Sequence, residues 1–237
     1  MSCLTDEGYT NEVWPRLKTS INELLVSQDR RYVNISYEQM YTCVYKCVCS
    51  HKSEKLYTDL MEILTNYLIT NSNEIGNFSK VSTSAKFVEK FHQFLCQYLS
   101  ALNGIVPIFN YMNKFYIELQ LRTDLNNELY ALFVKHVADR HEQHLFACIQ
   151  EVMNRPFETT PLILHQIVKN LHNLKPEYAL SRPQIFSKYI PNCLPPAQVE
   201  ELDQYIEETK RMQRDLHSHP HFTSGDQSRK RQVDCMD

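Results

Sequence analysis

Hydrophobic residues recur every three to four positions along most of this chain, which is the spacing of amphipathic α-helices. The pattern predicts helices over about residues 14–27, 36–50, 56–68, 84–102, 107–121, 125–153, 162–174 and 196–216. Polar stretches over 28–34, 51–54 and 71–84 are predicted connections. The segment around Asn103, Gly104 and Pro107 is predicted to break or kink the fourth helix before the fifth begins. We therefore expect a helical bundle.

The second predicted helix is apolar over more of its surface than one core requires. Its two adjacent apolar stripes consist of Tyr37, Tyr41, Tyr45 and Val48, and of Met40, Cys43, Val44 and Cys47. Their arc of roughly 200° is about twice what packing on a single core needs. Either the helix is buried on two sides by its own domain, or its tyrosine edge faces a partner. Tyrosine suits such a face because one end of its side chain is apolar and the other polar.

Composition supports a helical protein. Only four glycines accompany ten prolines, and strand-and-turn folds and phosphate-binding loops need more glycine than this. The net charge of −3 is spread over mixed signs and gives no field for nucleic acid or an acidic membrane. No apolar run reaches the roughly 18 residues of a membrane span. We therefore expect no nucleic-acid partner and no membrane partner.

The cysteines and the N-terminus indicate the compartment. The first residues contain neither the basic nor the apolar part of a secretory signal. Eight cysteines, spread from Cys3 to Cys235, are then expected to be reduced thiols. The sequence thus predicts a cytoplasmic or nuclear protein.

The density of the hydrophobic pattern divides the chain into four segments. These are a flexible N-terminus (1–11), a helical domain (12–175), a proline-punctuated linker with a charged helix (176–216) and a disordered tail (217–237). The linker has scattered apolar anchors at Phe186, Tyr189 and Ile190. The thin apolar stripe of the charged helix cannot hold it alone. It therefore docks on the bundle, on a second copy of the chain or on a partner.

The apolar stripes also predict which residues lie in the core. Trp14, Leu17, Leu60, Phe91 and Phe115 are predicted to be buried. The core stripe of the fifth helix is predicted to consist of Ile108, Met112, Phe115 and Leu119.

A series of short motifs follows the predicted helices. They are Trp14-x-x-Leu17-x-x-x-Ile21-x-x-Leu24, Tyr37-x-x-Met40-Tyr41-x-x-Val44-Tyr45, Leu56-Tyr57-x-x-Leu60 with Tyr67-Leu68, and Tyr111-Met112-Asn113 with Tyr116-Ile117. Their order and spacing resemble the N-terminal repeats of cullins, the scaffolds of ubiquitin ligases, over residues 12–153 and more loosely over 156–175. The resemblance implies an all-α, cullin-repeat-like helical bundle of about one and a half repeats with a proline-rich C-terminal extension.

The resemblance also implies a partner surface. In cullins, the second and fifth helices of the first repeat hold a BTB-type adaptor. Carried over residue by residue, the positions that face the partner are Tyr37, Met40, Tyr41, Tyr45 and Tyr111. The role of Tyr111 follows from the resemblance alone, whereas the wide apolar arc of the second helix already indicates the tyrosines of that helix.

The implied function is a non-catalytic interaction module in cell-cycle control. Its implied partners are a cyclin-dependent kinase, a BTB-type adaptor or another ubiquitin-ligase component. The sequence is expected to stop before a cullin homology domain, so it would not organise ubiquitin transfer as a complete cullin does. The alternative within this class is a decoy that occupies BTB-type adaptors.

Some side chains have the types found in metal sites. They are Cys43, Cys47 and His51 on the second helix, His136, His141 and His144 on the sixth, and His217, His219 and His221 in the tail. Structural zinc usually combines two ligand pairs from separate segments, and the HExxH spacing is absent. We interpret the thiols as core residues and the central histidines as a solvated helix face, and we expect no cofactor. A metal-dependent hydrolase using His136, His141 and His144 is the alternative of a different class.

Overall fold

The computed structural model describes residues 4–27, 35–155, 158–192 and 202–218, and these residues form helices and turns without a strand. The helices are α1 (Asp6–Gly8), α2 (Trp14–Val26), α3 (Tyr37–Cys49), α4 (Ser53–Ser79), α5 (Ser84–Ile108), α6 (Asn110–Met112), α7 (Leu125–Phe133), α8 (Asp139–Asn154), α9 (Pro161–Leu174), α10 (Glu177–Ser181), α11 (Pro183–Phe186) and α12 (Leu202–Ser218). The all-α prediction is confirmed.

Several of these helices are joined or extended by π-helical segments. Tyr9–Val13 continues α1 into α2, Asn113–Leu121 extends α6, and Val134–Ala138 joins α7 to α8. The chain divides into two units, Met1–Pro191 and Asn192–Asp237. In the part of the chain described, no helix combines the length and the apolar character that crossing a bilayer would require.

Helix α5 lies at the centre of the first unit and packs against α2, α3, α4, α7, α8 and α9. Three of its rings meet Phe133 of α7: the centroid distances are 6.4 Å for Phe91, 5.8 Å for Phe94 and 5.2 Å for Tyr98. The buried Tyr98 hydroxyl donates a hydrogen bond of 2.9 Å to the carbonyl of Leu129. An aromatic cluster with its one polar group satisfied thus fixes α5 on α7.

The core prediction is confirmed in part. Leu17, Leu60 and Phe91 are buried, as predicted. Phe115 is instead 51% exposed, and Trp14 is only half-buried. The Trp14 ring lies at the edge of the core, stacked on Tyr9 with centroids 6.2 Å apart.

The N-terminal segment is ordered helix over the residues described, so the predicted flexibility is wrong there. The Thr5 hydroxyl caps α1 by accepting a backbone hydrogen bond of 3.1 Å. The ring of Tyr9 is buried, and its hydroxyl donates to a carboxylate oxygen of Asp59 on α4 at 2.6 Å. Burial of the Tyr9 ring helps to anchor a segment whose other residues are mostly polar.

Two predicted helix boundaries are also wrong. Helix α4 continues to Ser79, because Ser72 and Ile75 of the predicted connection are buried against the rest of the first unit. Helix α5 runs through Gly104 and ends only at Ile108. Pro107 lies in its last turn, where the hydrogen bond that proline cannot donate costs the helix little length.

The proline-rich segment after α9 is packed up to residue 191 and is not a linker. The Tyr178 hydroxyl donates to Asp139 at 2.6 Å. The ring of Phe146 meets Tyr178 at 5.5 Å and the fully buried Phe186 at 5.8 Å. These contacts join α10 and α11 to α8, so the first unit extends beyond the predicted limit of residue 175.

In the second unit, the structure confirms a helix from Leu202 onward as α12. Ile206 and Met212 are 43% and 66% exposed on it. The helix includes residues 217 and 218, the start of the tail that was predicted to be disordered. Residues 219–237 lie outside the described part of the chain.

The core assignment is tested by Phe91→Ala. We expect the free energy of unfolding to fall by about 3–5 kcal/mol, because the ring is fully buried against Phe87 and Phe133. Phe115→Ala is the matched control and should cost about 1 kcal/mol or less, since that ring is half in water. Urea denaturation measures both variants. Equal losses, or a loss below about 1 kcal/mol at Phe91, would contradict the assignment.

Candidate interaction site on two helices

Helix α3 turns one face to the core and its tyrosine edge outward. Ser36 caps the helix as predicted, its hydroxyl accepting a hydrogen bond from the backbone three residues ahead. Val44 and Cys47 are fully buried, whereas Tyr37 and Tyr41 are 44% and 39% exposed. The wide apolar arc is therefore divided between a core-facing stripe and an outward-facing one.

Tyr111, on the fifth predicted helix, joins Tyr41 and Tyr45 into one cluster of rings. Its ring centroid lies 6.4 Å from that of Tyr41 and 4.8 Å from that of Tyr45, both edge-on, and 4.4 Å from that of Phe115. Such edge-on pairs are the favoured geometry of aromatic rings. We call the set Tyr37, Tyr41, Tyr45, Tyr111 and Phe115 the aromatic surface.

One predicted member of the partner-facing set is in the core. Met40 is only 8% exposed, and the hydroxyl of Ser20 on α2 lies 3.2 Å from its sulfur. Its side chain packs α3 on α2, because it lies on the core-facing side of the arc. Met40 is therefore removed from the candidate site.

The fifth helix turns Phe115 and Leu119 outward, contrary to the predicted core stripe. Both were assigned to the core with Ile108 and Met112, yet they are 51% and 67% exposed. The reason is the π-helical geometry of Asn113–Leu121. Its i→i+5 hydrogen bonds place more residues in each turn, so positions four apart no longer stay on the face that a 3.6-residue period predicts. Leu119, like Phe115, is thereby exposed on the outer side of this helix.

The start of this π-helical segment is held by Asn113, a buried residue whose role the sequence patterns did not indicate. Its amide oxygen accepts from the backbone N–H of Leu125 at 2.8 Å. Its amide nitrogen donates to Asp124 at 2.9 Å and to Glu118 at 3.0 Å. The sequence signal that could have indicated this role was the polar Asn113 at the end of the motif Tyr111-Met112-Asn113. The bonds fix the turn between the fifth helix and α7.

Tyr37 is placed by a close approach of α3 to α5. A Cβ atom added to Gly104 would lie 2.8 Å from a methyl of Leu24 and 3.1 Å from the Tyr37 hydroxyl. Glycine at this position therefore lets α2 and α3 come close to α5. The same close approach places the Tyr37 hydroxyl next to Gly104 of α5.

The exposed thiol of Cys49 borders the aromatic surface. A hydrogen bond with Cys49 and its charge raise the pKa of Tyr45. Burial, followed by the interactions with Cys49, raises the pKa of Tyr111. The phenols of Tyr45 and Tyr111 therefore stay neutral at physiological pH, and these two residues offer ring faces and uncharged hydroxyl groups.

The three central histidines do not converge on a metal. His141 turns toward α4, where its Nε2 lies 3.0 Å from the hydroxyl and 3.1 Å from the carbonyl of Ser72. The ring of His144 lies edge-on to Phe87 at 4.6 Å. Interpreting all three as a solvated face is therefore wrong for His141. Among the residues described, no three His, Cys, Asp or Glu side chains are grouped as metal ligands.

Of the thiols on α3, Cys47 is buried, Cys43 is half-buried and Cys49 is exposed. Burial is the main cause that raises the pKa of Cys47 to about 12, so this buried thiol stays protonated. Burial also raises the pKa of the half-buried Cys43. Both values oppose metal binding, which requires the thiolate. The tail histidines lie outside the side chains that the structure describes.

The described helices thus define an all-α helical array that carries a partly exposed aromatic surface. The family model for the cullin alpha solenoid domain matches residues 14–219. The chain therefore belongs to the cullin family.

Particular relatives agree with this assignment. The chain is 39% identical over 234 residues to CDK2-associated and cullin domain-containing protein 1 of Rattus norvegicus, covering 99% of this chain and 57% of that protein. It is 27% identical over 123 residues to cullin-3A of Arabidopsis thaliana, covering 52% of this chain and 16% of that cullin. With cullin-3 of Caenorhabditis elegans it shares 25% over 112 residues, covering 47% and 14%. The chain thus spans little more than half the length of the rat protein.

The close approach at Gly104 is tested by Gly104→Ala. We expect a net loss of up to about 2 kcal/mol in the free energy of unfolding. Overpacking against Leu24 costs about 1–3 kcal/mol, and the better helix propensity of alanine returns up to about 1 kcal/mol. In a Leu24→Ala background, the same substitution should be neutral or stabilising. Additive effects of the two substitutions in thermal and urea unfolding would contradict a direct contact.

His141 makes stability depend on pH. Burial is the main cause that lowers its pKa below the ordinary 6.5, so protonation favours the unfolded chain. Its contribution is complete above about pH 6.5 and is lost as the pH falls through that value toward the lower folded pKa. The nearby Arg140 and His144 charges act in the same direction, while the hydrogen bond to Ser72 opposes it.

The measurement is urea unfolding between about pH 7.5 and 5.5, the range around the free histidine pKa. The wild-type chain should lose more stability over this range than His141→Gln. His165→Gln, at an exposed histidine on α9, is the control and should retain the wild-type slope. Parallel pH profiles for the wild type and His141→Gln would refute the assignment.

Proposed function

We propose that this cullin-family chain is a non-catalytic interaction module that binds a partner protein through the aromatic surface. The observation that carries the proposal is the exposure of Tyr37, Tyr41 and Phe115, at 44%, 39% and 51%, beside two half-buried tyrosines. Contiguous exposed apolar surface is rare on soluble domains and usually marks an interaction site. Aromatic residues are also enriched at the energetic centres of interfaces.

A BTB-type adaptor of a ubiquitin ligase is the favoured partner. Membership of the cullin family and the similarity to cullin-3 proteins support it, because α3 and the fifth helix carry the positions that the family resemblance assigns to adaptor binding. The surface is chemically suited to this role. Neutral rings can fill apolar pockets, while their hydroxyls donate hydrogen bonds at the rim.

A cyclin-dependent kinase is the second candidate. The similar rat protein is named for association with CDK2 as well as for a cullin domain, and this similarity extends over almost the whole of our chain. We therefore propose a role in cell-cycle control, in the cytoplasm or nucleus. A chain that held an adaptor without supporting ubiquitin transfer would act as a decoy, which is the alternative outcome of adaptor binding.

The decisive variants are Tyr41→Ala and Tyr111→Ala, each compared with the exposed control Leu180→Ala on α10. We expect each tyrosine variant to weaken binding to a purified BTB-type adaptor by about thirtyfold, which corresponds to about 2 kcal/mol for a central aromatic contact. The melting temperature should change little in all three variants. Isothermal titration calorimetry on the same preparations gives the dissociation constants.

The same titration with a cyclin-dependent kinase separates the two partners. If only the kinase binds, and the tyrosine variants weaken that binding, the surface is retained and the adaptor is excluded. If both tyrosine variants bind every partner as the wild type does, or if both unfold early, the interaction surface lies elsewhere. Competition with a cullin for the adaptor would identify a decoy.

A further inference from the structure

The π-helical segment Asn113–Leu121 is unusual in its length and in the way it ends. π-Helices are rare, occur mostly as single turns inside α-helices and are frequent at functional sites. This one runs for nine residues and ends at Arg122, whose φ of 55° lies in the left-handed region. A side chain with a Cβ atom is strained there, and glycine is the usual choice. The segment therefore keeps its geometry against a local cost in backbone strain.

The sequence of this segment also fits an ordinary α-helix. At about 100° per residue, an α-helix places Phe115 and Leu119 on the same face as Met112. The structure instead buries Ile117 with Met112, and it leaves the other two side chains 51% and 67% exposed. Ile117 follows Met112 by five residues, a spacing that turns away by about 140° in an α-helix but returns to the same face in a π-helix. The two helical forms thus bury different apolar residues of one sequence.

One hydrogen bond is specific to the π-helical form. The amide nitrogen of Asn113 donates to a carboxylate oxygen of Glu118 at 3.0 Å. These residues are five apart, whereas the side chains that meet on an α-helix are three or four apart. The other bonds of Asn113, to Asp124 and to the backbone of Leu125, hold the segment to the start of α7 and do not depend on the spacing within it. The bond to Glu118 therefore favours the π-helical form over the α-helical one.

We propose that Asn113–Leu121 switches between a π-helical and an α-helical form and thereby regulates the aromatic surface. In the π-helical form, Phe115 is presented to a partner. In the α-helical form, the 3.6-residue period turns Phe115 and Leu119 toward the core and withdraws them from the surface. A partner that contacts Phe115 shifts the balance to the π-helical form, because it binds that form more tightly. This regulatory role rests on the proposed function of the surface, whereas the exchange between the two forms does not.

The probe is 4-fluorophenylalanine in place of Phe115 alone, observed by ¹⁹F NMR in the full chain without a partner. We expect two exchanging forms of the ring, one in water and one buried, which saturation transfer detects. Glu118→Ala removes the bond specific to the π-helical form, so it should raise the ratio of buried to exposed ring about fivefold. Lys114→Ala, at an exposed position of the same segment, is the control and should keep the wild-type ratio.

Two further variants separate a positioning role of Glu118 from a general structural one. Glu118→Gln keeps an acceptor oxygen at this position and should retain the wild-type ratio of the two ring signals. Adding Arg122→Gly to Glu118→Ala should restore the exposed form, because glycine adopts the left-handed conformation at the end of the π-helical segment without a Cβ clash. A general loss of stability at position 118 would instead lower the melting temperature without moving the ratio.

A single ring signal without exchange in both the wild type and Glu118→Ala would overturn the switch, and so would equal changes of the ratio in Glu118→Ala and Lys114→Ala. A purified BTB-type adaptor then tests the regulatory role, since it should deplete the buried form as the bound fraction rises. Exchange that the bound adaptor leaves unchanged would refute regulation of this surface. Adaptor binding that Tyr41→Ala weakens, in a chain with a single ring signal, would refute the switch and leave the proposed function intact.

Discussion

The packing of α5 against its neighbours is the interaction on which the rest of this structure depends. Phe91, Phe94 and Tyr98 converge on Phe133, so one cluster of rings joins the centre of the first unit to α7. The cluster remains free of an unsatisfied group because the Tyr98 hydroxyl donates to a backbone carbonyl. A buried hydroxyl without that acceptor would cost about 1–3 kcal/mol, a large part of the stability of a domain.

The candidate site is an extension of this core. The end of α5 carries Gly104, and the absence of a side chain there lets Leu24 and the Tyr37 hydroxyl approach. On the other side, the buried Asn113 fixes the segment that carries Tyr111 and Phe115. The aromatic surface is thus backed by a close approach of helices at Gly104 and by the satisfied amide of Asn113. On the proposal that a partner binds here, such support reduces the ordering that binding requires, which favours affinity.

The sequence predicted those parts of the site that depend on a regular 3.6-residue period. The helix around α3, its cap at Ser36 and its division into two apolar stripes all follow from that period. The spacing placed Met40 beside Val44 and Cys47 in the stripe that the structure buries, and only the positions carried over from the family put it in the partner-facing set. Spacing alone does not decide which stripe faces inward. That decision depends on contacts with α2, which are separated from α3 in sequence and leave no local pattern.

The remaining errors have local physical causes. Phe115 and Leu119 were assigned to the core because a π-helical segment cannot be distinguished from an α-helix by spacing alone. The N-terminus looked frayed because its anchors are long-range contacts: the buried Tyr9, the hydrogen bond of the Leu4 N–H to the Ser50 hydroxyl, and the Asp6–Lys52 ion pair. Single long-range contacts of this kind outweigh local composition, and only the folded chain reveals them.

The exposed apolar residues of the two units differ in a way that bears on function. Ile206 and Met212 are exposed on α12, whose other described side chains, at 207–211 and 213–215, are polar or charged. Phe115 is in ring contact with Tyr111, which in turn meets Tyr41 and Tyr45. Each Å² of such a patch left in water forgoes about 25 cal/mol of hydrophobic stabilisation. The π-helical turn that rotates Phe115 and Leu119 outward therefore withholds stability from the isolated chain, and contact with a partner would recover it.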